Sequence, residues 1–172
     1  MNDRELLVLR HAKSDWNSDA PTDFERPLNR RGQKDAPRVG RFMVGKGLRP
    51  DFVVSSPATR ARQTVLAACE AFGIGEGDIH WDKRVYHAST GILMDVLSEC
   101  PPEAKRVLIT GHNPGMESLV RTLSREHVPM PPDLKLMPTA ALAHLEIGVP
   151  WAQIDGGVAR LLDLTRARSL RD

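Results

Sequence analysis

Short apolar runs recur along the chain, and several of them are continuous rather than alternating with polar residues. These runs cover residues 6–9, 52–54, 107–109 and 141–145. A continuous apolar run of this length is typical of a strand that is buried on both faces of a parallel sheet. The hydrophobic pattern therefore predicts strands at these four places.

Amphipathic helical stretches lie between the apolar runs. The clearest covers residues 58–72, where one apolar face is formed by Ala61, Val65, Leu66, Ala68, Cys69 and Phe72. Others cover residues 36–44, 92–97 and 116–123. Pro37 is expected near the start of its helix, since a proline deep inside a helix removes a hydrogen bond and costs about 3 kcal/mol. A kink at Pro37 is the alternative.

The alternation of strands and helices predicts an α/β fold, a three-layer α/β/α sandwich with a mostly parallel central sheet. The C-terminal part, from residue 139 through 151–154 to 158–162, is richer in strand signals and is expected to add antiparallel pairing. With 172 residues, no internal repeat and no linker, residues 1–172 are expected to form a single domain.

Two segments carry dense loop signals, residues 14–28 and 128–138, and the second contains four prolines. Loops that lie on a regular scaffold often carry the functional residues of a protein. Both segments are therefore candidates for shaping the entrance to a site.

Composition narrows the class of protein. Hydrophobic residues make up 41% and charged residues 27%, as in ordinary globular proteins. The sequence has no stretch of ~20 apolar residues and no secretion signal at its charged N-terminus, so we expect no membrane association and a cytoplasmic location. A net charge of +2 is too small to suggest nucleic-acid binding. Cys69 and Cys100 lack metal-ligand spacing and are expected to be buried free thiols.

Polar residues suited to binding an anion follow three of the apolar runs. Arg10 and His11 end the first, and His112 with Asn113-Pro114 follows the third, where a helix is expected to begin. Arg60 falls in the first turn of the helix after residues 52–54. Ligands of open α/β sheets bind beyond the carboxyl ends of the strands, and helix N-termini attract anions. Taken singly, each has an ordinary structural explanation: an incidental Arg-His pair, a histidine bonded to a turn, or a solvent-facing helix start.

Together, these segments resemble a known family. The motifs are Arg10-His11-Ala12, Trp16-Asn17, Ser56-x-x-x-Arg60-Ala61-x-Gln63-Thr64 and Gly111-His112-Asn113-Pro114. Their order and spacing are similar to those of the histidine phosphatase, or phosphoglycerate mutase-like, superfamily. The compact length, Arg-His-Ala in place of the commoner Arg-His-Gly, and the segment Glu25-Arg26-Pro27-Leu28 most resemble its SixA-type phosphohistidine phosphatase branch.

The resemblance implies a role for each matched residue. His11 would attack phosphorus and form a phosphohistidine that water then hydrolyses. Arg10, Arg60 and His112 would bind the phosphoryl oxygens and offset the charge that builds on them. The resemblance also implies substrate binding by Asn17 and Asn113. No metal or other cofactor is expected, since arginines and a helix N-terminus supply the positive field.

One departure from the family concerns the general acid. Many members place a glutamate in the segment that corresponds to residues 84–90, and this chain has no carboxylate there. His87, or Asp19 and its neighbours Asp15 and Asp23 in the first loop, are candidates for the acid, and His87 is equally well explained as a surface histidine.

Without a strong acid, a substrate with a good leaving group is favoured, and the short chain indicates an open site. Both expectations fit a phosphohistidine on another protein as the substrate. Two rivals remain open: a small-molecule phosphomonoesterase, which an ordered lid formed by residues 128–138 would favour, and a phosphate-binding adaptor without catalysis. The sequence does not select the oligomeric state.

Overall fold

The computed structural model describes residues 4–171. Its strands are β1 (Arg4–Arg10), β2 (Phe52–Ser55), β3 (Ile79–Trp81), β4 (Arg106–Gly111), β5 (Leu142–Ile147) and β6 (Ala159–Thr165). Its α-helices are α1 (Arg30–Gly45), α2 (Thr59–Glu70), α3 (Thr90–Ser98) and α4 (Gly115–Leu123). The four predicted strands and the four predicted helices are thus all present, with shifted ends.

The strands form one sheet in the order β3-β2-β4-β1-β5-β6. Strands β1 to β4 pair in parallel with one another, whereas β5 pairs antiparallel with β1 and with β6. This arrangement confirms a mostly parallel sheet with antiparallel pairing in the C-terminal part. It also brings the carboxyl ends of β1, β2 and β4 to one edge, where the candidate residues lie.

Apolar side chains cover both faces of the sheet, which confirms the three-layer α/β/α sandwich. In β1, Leu6 and Val8 pack with residues of α3 and α4, whereas Leu7 and Leu9 pack with residues of α1 and α2. All four side chains are fully buried. A strand covered on both faces needs apolar residues at every position, so the continuous run in the sequence has a direct structural cause.

The predicted start of α1 was wrong. The helix begins at Arg30, because the side chain of Asn29 caps it by accepting a hydrogen bond of 2.9 Å from the backbone N–H of Gly32. Pro37 therefore lies in the middle of α1 rather than near its start.

The region around Trp151 also differs from the prediction. Residues Trp151–Gln153 form a short 3-10 helix rather than a strand. The indole of Trp151 is 1% exposed and donates a 2.7 Å hydrogen bond to the carbonyl of Ala104, so this turn anchors the segment to the core. Of the predicted residues 158–162, all but the first lie in a strand, β6.

Both cysteines are buried free thiols, as expected. Burial raises the pKa of each thiol, of Cys69 and of Cys100, to about 12. Within residues 4–171, none of the helices has the length and apolar character needed to cross a membrane. That residues 1–172 form a single domain stays a prediction.

Candidate active site

His11 lies directly after β1 at the carboxyl edge of the sheet. Its backbone N–H donates to the carbonyl of Gly111 in β4, and its own carbonyl accepts from the N–H of Ala140, both at 3.0 Å. Its Nδ1 is 2.7 Å from the carbonyl oxygen of Ala12. A carbonyl oxygen can only accept, so Nδ1 carries the hydrogen and Nε2 carries the lone pair.

The imidazole of His11 is held in its neutral form. Its pKa is lowered to about 4, mainly by burial. The hydrogen bond to Ala12 opposes this shift, and the charges of Arg60, Arg10 and Arg26 add to it. At neutral pH the Nε2 lone pair is therefore available.

Arg60 is the second residue of α2, and its guanidinium group reaches over His11. Its Nε donates to the Nε2 of His11 at 3.3 Å. Its two terminal nitrogens donate to Asp23, one to the backbone carbonyl at 2.7 Å and the other to Oδ2 at 3.0 Å. A side chain that is 4% exposed and bonded at all three nitrogens has little freedom to turn.

Asp23 of the first loop connects the cations of the site. Besides Arg60, its carboxylate accepts hydrogen bonds from the hydroxyl of Tyr86 at 2.7 Å and from Arg26 at 2.9 Å. The Tyr86 bond, followed by the bond and charge of Arg60, lowers the pKa of Asp23 to about 2 against partial desolvation. Asp23 is therefore ionised at neutral pH.

Arg26 supports this loop from the other side. Its Nε donates to the hydroxyl of Ser14 at 3.0 Å, and its guanidinium carbon lies 3.5 Å from the ring centroid of Trp16. The side chain is buried, whereas Trp16 is 75% exposed at the rim. The segment Glu25-Arg26-Pro27-Leu28, singled out in the sequence, thus supplies a cation that keeps Asp23 in place.

His112 follows β4 and lies beside His11, with 5.1 Å between the two ring centroids. Its Nε2 lies 2.9 Å from the hydroxyl of Ser56, whereas its buried Nδ1 finds no hydrogen-bond partner in the part of the chain that the structure describes. Burial, then the charges of His11, Arg60 and His87, lowers the pKa of His112 to about 3. The ring is neutral at physiological pH.

Arg10 and Asn113 share the carbonyl of Met137. One terminal nitrogen of Arg10 donates to it at 3.0 Å, and the side-chain amide of Asn113 donates to it at 2.9 Å. The Nε of Arg10 is buried and, among residues 4–171, has no partner. Asn113 also accepts at 3.3 Å from the N–H of Glu117, so it caps the first turn of α4.

These side chains surround an open cavity of about 380 Å³. It is lined by Arg10, His11, Lys13, Ser14, Trp16, Asp23, Arg26, Arg60, His87, His112, Asn113 and Thr139. Four of these residues come from the loop at 14–28, as predicted, whereas the loop at 128–138 contributes none. That second loop supports the site only from outside the cavity, through the Met137 carbonyl.

The remaining candidates are placed less centrally. His87 lines the cavity, but its side chain is 66% exposed and its Nε2 is 3.8 Å from the carboxylate of Asp23. Asn17 and Asp19 are exposed and lie outside the lining, and Asp15 accepts a hydrogen bond from the backbone of Asn17. Phosphoryl binding by Asn17 and proton donation by Asp19 stay predictions.

Comparison with known proteins agrees with this geometry. The family model for the histidine phosphatase superfamily (branch 1) matches residues 6–93. An uncharacterised chloroplastic protein of Arabidopsis thaliana is 30% identical over 129 residues, which span 70% of this chain and 59% of that relative. The match therefore covers less than two thirds of the relative's length.

Two solved structures cover nearly all of the chain. One is a candidate phosphohistidine phosphatase SixA from Nakamurella multipartitia, with a TM-score of 0.80 and 26% identity over 95% of each chain. The other is a candidate SixA from Agrobacterium tumefaciens, with a TM-score of 0.77 and 28% identity over 96% of this chain and 99% of that one. The protein belongs to the histidine phosphatase superfamily.

Proposed function

We propose that this protein is a phosphohistidine phosphatase that hydrolyses the phosphoryl group of a phosphohistidine on another protein, with His11 as the nucleophile. The observation that carries the proposal is the orientation of His11. Its Nδ1 is engaged by the Ala12 carbonyl, and its neutral Nε2 faces the cavity beside Arg60. A fixed, neutral imidazole is what attack on phosphorus requires, and the phosphoryl group would take the place of the Arg60 N–H at the Nε2 lone pair.

The proposed reaction has two steps. The Nε2 lone pair of His11 forms a bond to phosphorus while the bond between phosphorus and the substrate nitrogen breaks. The leaving imidazole keeps that electron pair and takes a proton from solvent at the open mouth of the cavity, so that no protein acid is required. Water then attacks the phosphorus of the phosphorylated His11, which releases inorganic phosphate and returns the neutral imidazole. Dividing one displacement into two lowers the barrier of each.

The unpartnered donors of the cavity support this assignment. Arg10 Nε and His112 Nδ1 are buried without a partner in the described residues, which is costly unless a ligand satisfies them. Phosphoryl oxygens would accept from both, provided that His112 accepts from Ser56 at Nε2 and carries its hydrogen on Nδ1. Arg60 would add a third set of donors, giving a positive cradle around the charge that builds on phosphorus.

The choice of leaving group follows from the state of the nearest carboxyl group. Asp23 has a pKa of about 2 and is committed to Arg60 and Tyr86, so it has no proton to donate at neutral pH. His87 lies at the open mouth instead. A site without a strong acid favours a leaving group such as an imidazole or a phenolate over an alkoxide.

The shape of the cavity supports a macromolecular substrate. The loop at 128–138 forms no lid over it, and Trp16 is exposed at its rim, where a protein partner could contact it. The solved relatives named as candidate phosphohistidine phosphatases point in the same direction. A phosphorylated protein as partner and a cytoplasmic location are part of the proposal.

The test is turnover of a phosphohistidine-bearing protein and of p-nitrophenyl phosphate, without added metal, by wild type and by His11→Ala. We expect wild type to act on both, and His11→Ala to lose activity by at least about a thousandfold. His127→Ala is the matched control, because His127 is exposed and lies outside the cavity.

Two results would contradict the proposal. A wild-type protein that binds phosphate but turns over neither substrate would be a phosphate-binding adaptor. A higher kcat/KM on an alkyl phosphate such as phosphoglycerate than on the phosphohistidine protein would identify a small-molecule phosphomonoesterase.

A further inference from the structure

A second concave surface adjoins the catalytic cavity. It has a volume of about 190 Å³ and shares Lys13 and Thr139 with the first cavity. We call it the basic groove, and it is lined by Lys13, Arg31, Asp35, Asp133, Lys135, Pro138, Thr139, Arg166, Ala167 and Arg168. The phosphatase chemistry described above uses none of the residues that belong to the groove alone.

The groove concentrates positive charge. Five of its lining residues are cationic and two are carboxylates, which leaves an excess of three positive charges. The whole chain has a net charge of only +2. The excess is therefore a local feature of this surface, and it adjoins a catalytic cavity that is itself rich in arginine.

Both carboxylates of the groove are already bound to arginines. Asp133 accepts hydrogen bonds from Arg166 at 2.6 and 3.1 Å and lies 3.4 Å from Arg168. The Arg166 bonds lower the pKa of Asp133, so it stays ionised. Asp35 is buried and pairs with Arg38 at 3.2 Å and with Arg31 at 3.5 Å.

The other cations remain available to a ligand. Lys13 and Lys135 are exposed and form no ion pair with any described residue. Arg31 and Arg168 keep about three fifths of their side-chain surface exposed in spite of their contacts. Four cationic groups can therefore approach an acidic ligand from four separate parts of the chain.

We propose that the basic groove binds carboxylate side chains that flank the phosphorylated residue of a protein substrate. This inference rests on the proposed function. Lys13 is two residues from His11, so their Cα atoms are at most about 7 Å apart. A peptide whose phosphohistidine enters the catalytic cavity would bring a glutamate or aspartate about two or three residues away to the groove.

The surroundings favour an acidic protein over a nucleic acid. The groove has no aromatic residue in its lining, and single-stranded nucleic acids depend on stacking with such residues. Leu134, between two lining residues, is 75% exposed, and so is Trp16 at the rim of the catalytic cavity. Exposed apolar residues beside a charged surface suit contact with a folded protein.

The test compares two phosphohistidine peptides of equal length, one with glutamates and the other with glutamines at the flanking positions. We expect wild type to prefer the glutamate peptide, and Lys135→Glu/Arg168→Glu to lower its kcat/KM by about tenfold or more. The glutamine peptide and p-nitrophenyl phosphate should change little. Arg41→Glu/Arg125→Glu is the control, because it makes the same change in net charge at exposed positions outside both cavities.

The outcomes separate this inference from the proposed function. Equal turnover of both peptides by wild type would overturn the groove proposal and leave the phosphohistidine assignment intact. If the control variant lost as much kcat/KM on the glutamate peptide, the effect would be due to net charge, and the groove proposal would also be overturned. Turnover of p-nitrophenyl phosphate with neither peptide accepted would show that the proposed function is wrong, and the groove proposal would fail with it.

Discussion

At the scale of single residues, the structure gives Asp23 a positioning role rather than that of a proton donor. Its carboxylate fixes Arg60, and Arg60 in turn contacts the Nε2 of His11. The bond from Tyr86 holds the same carboxylate oxygen. Asp23 therefore orients a cation toward the nucleophile, and its low pKa is a consequence of the hydrogen bonds that it accepts from Tyr86 and Arg60.

Replacing Asp23 by asparagine tests this role. We expect Asp23→Asn to lower kcat/KM by about tenfold, because the charge-assisted hydrogen bond from Arg60 to the carboxylate is lost while the bond to the backbone carbonyl remains. The factor should be similar for p-nitrophenyl phosphate and for a phosphohistidine protein. Tyr86→Phe, which removes one neutral donor from the same carboxylate, should cost less. Steady-state kinetics on both substrates measures these effects.

A proton-donating Asp23 would give a different result. The loss would then be much larger for the substrate with the poorer leaving group, and the pH profile would lose its alkaline limb. Asp19→Asn is the matched control, since Asp19 is an exposed aspartate of the same loop outside the cavity.

The sequence indicated the site residues at the strand ends better than the loop residues that hold them in position. Arg10, His11, Arg60 and His112 each follow an apolar run or begin a helix, so their meeting at one edge could be expected from topology. Asp23 and Tyr86 are 63 residues apart, and their contact depends on the path of two loops. No local pattern encodes such a contact, and Asp23 was therefore considered only among several candidates for the acid.

At the scale of elements, the packing of α1 on α2 depends on a close backbone approach at Gly40. A Cβ atom at this position would lie 2.4 Å from the backbone carbonyl oxygen of Ala68 in α2. Backbone cannot move aside as a flexible side chain can. The two helices cover the face of the sheet that contains Leu7 and Leu9, so their spacing sets the packing of one half of the core.

Gly40→Ala should therefore destabilise the protein by about 1–3 kcal/mol, because one added methyl group forces the helices apart. Gly45→Ala, in the same helix, is the control: nothing lies within 4 Å of its added Cβ, and it should be neutral or slightly stabilising. Urea unfolding gives the free energy of unfolding of both variants. Equal effects at the two positions would show that the close approach to Ala68 does not limit the packing.

The prediction of helices and strands was wrong where the local sequence signal was weak or where other contacts outweighed it. Pro37 suggested a helix start, but the side-chain cap at Asn29 makes the helix begin at Arg30, six residues before the predicted first residue. Strand β3 has only three residues and was not predicted, because so short a run has no clear period. Around Trp151, burial of one large side chain produces a turn in a segment whose composition favoured a strand.

At the scale of the whole molecule, folding holds two histidines neutral in the interior. Burial lowers the pKa of His11 to about 4 and that of His112 to about 3, whereas an unfolded histidine titrates near about 6.5. A group whose pKa is lower in the folded state stabilises the fold fully above its unfolded pKa. That contribution is lost as the pH falls from about 6.5 toward the two folded values, because only the unfolded chain takes up the protons.

The free energy of unfolding should therefore fall with acidification between about pH 6 and pH 4.5, with each of the two histidines contributing about 1.4 kcal/mol per pH unit. Asp23 adds nothing in this window, because its pKa of about 2 lies below its unfolded value and its contribution is lost only at lower pH. His112→Gln should reduce the slope by the share of one histidine, whereas His127→Gln, at an exposed position, should leave it unchanged. Urea unfolding at a series of pH values measures the slope. If His112→Gln left the slope as steep as in wild type, protonation of His112 on unfolding would not be its source, and the neutral, anion-binding state assigned to this ring would lose its support.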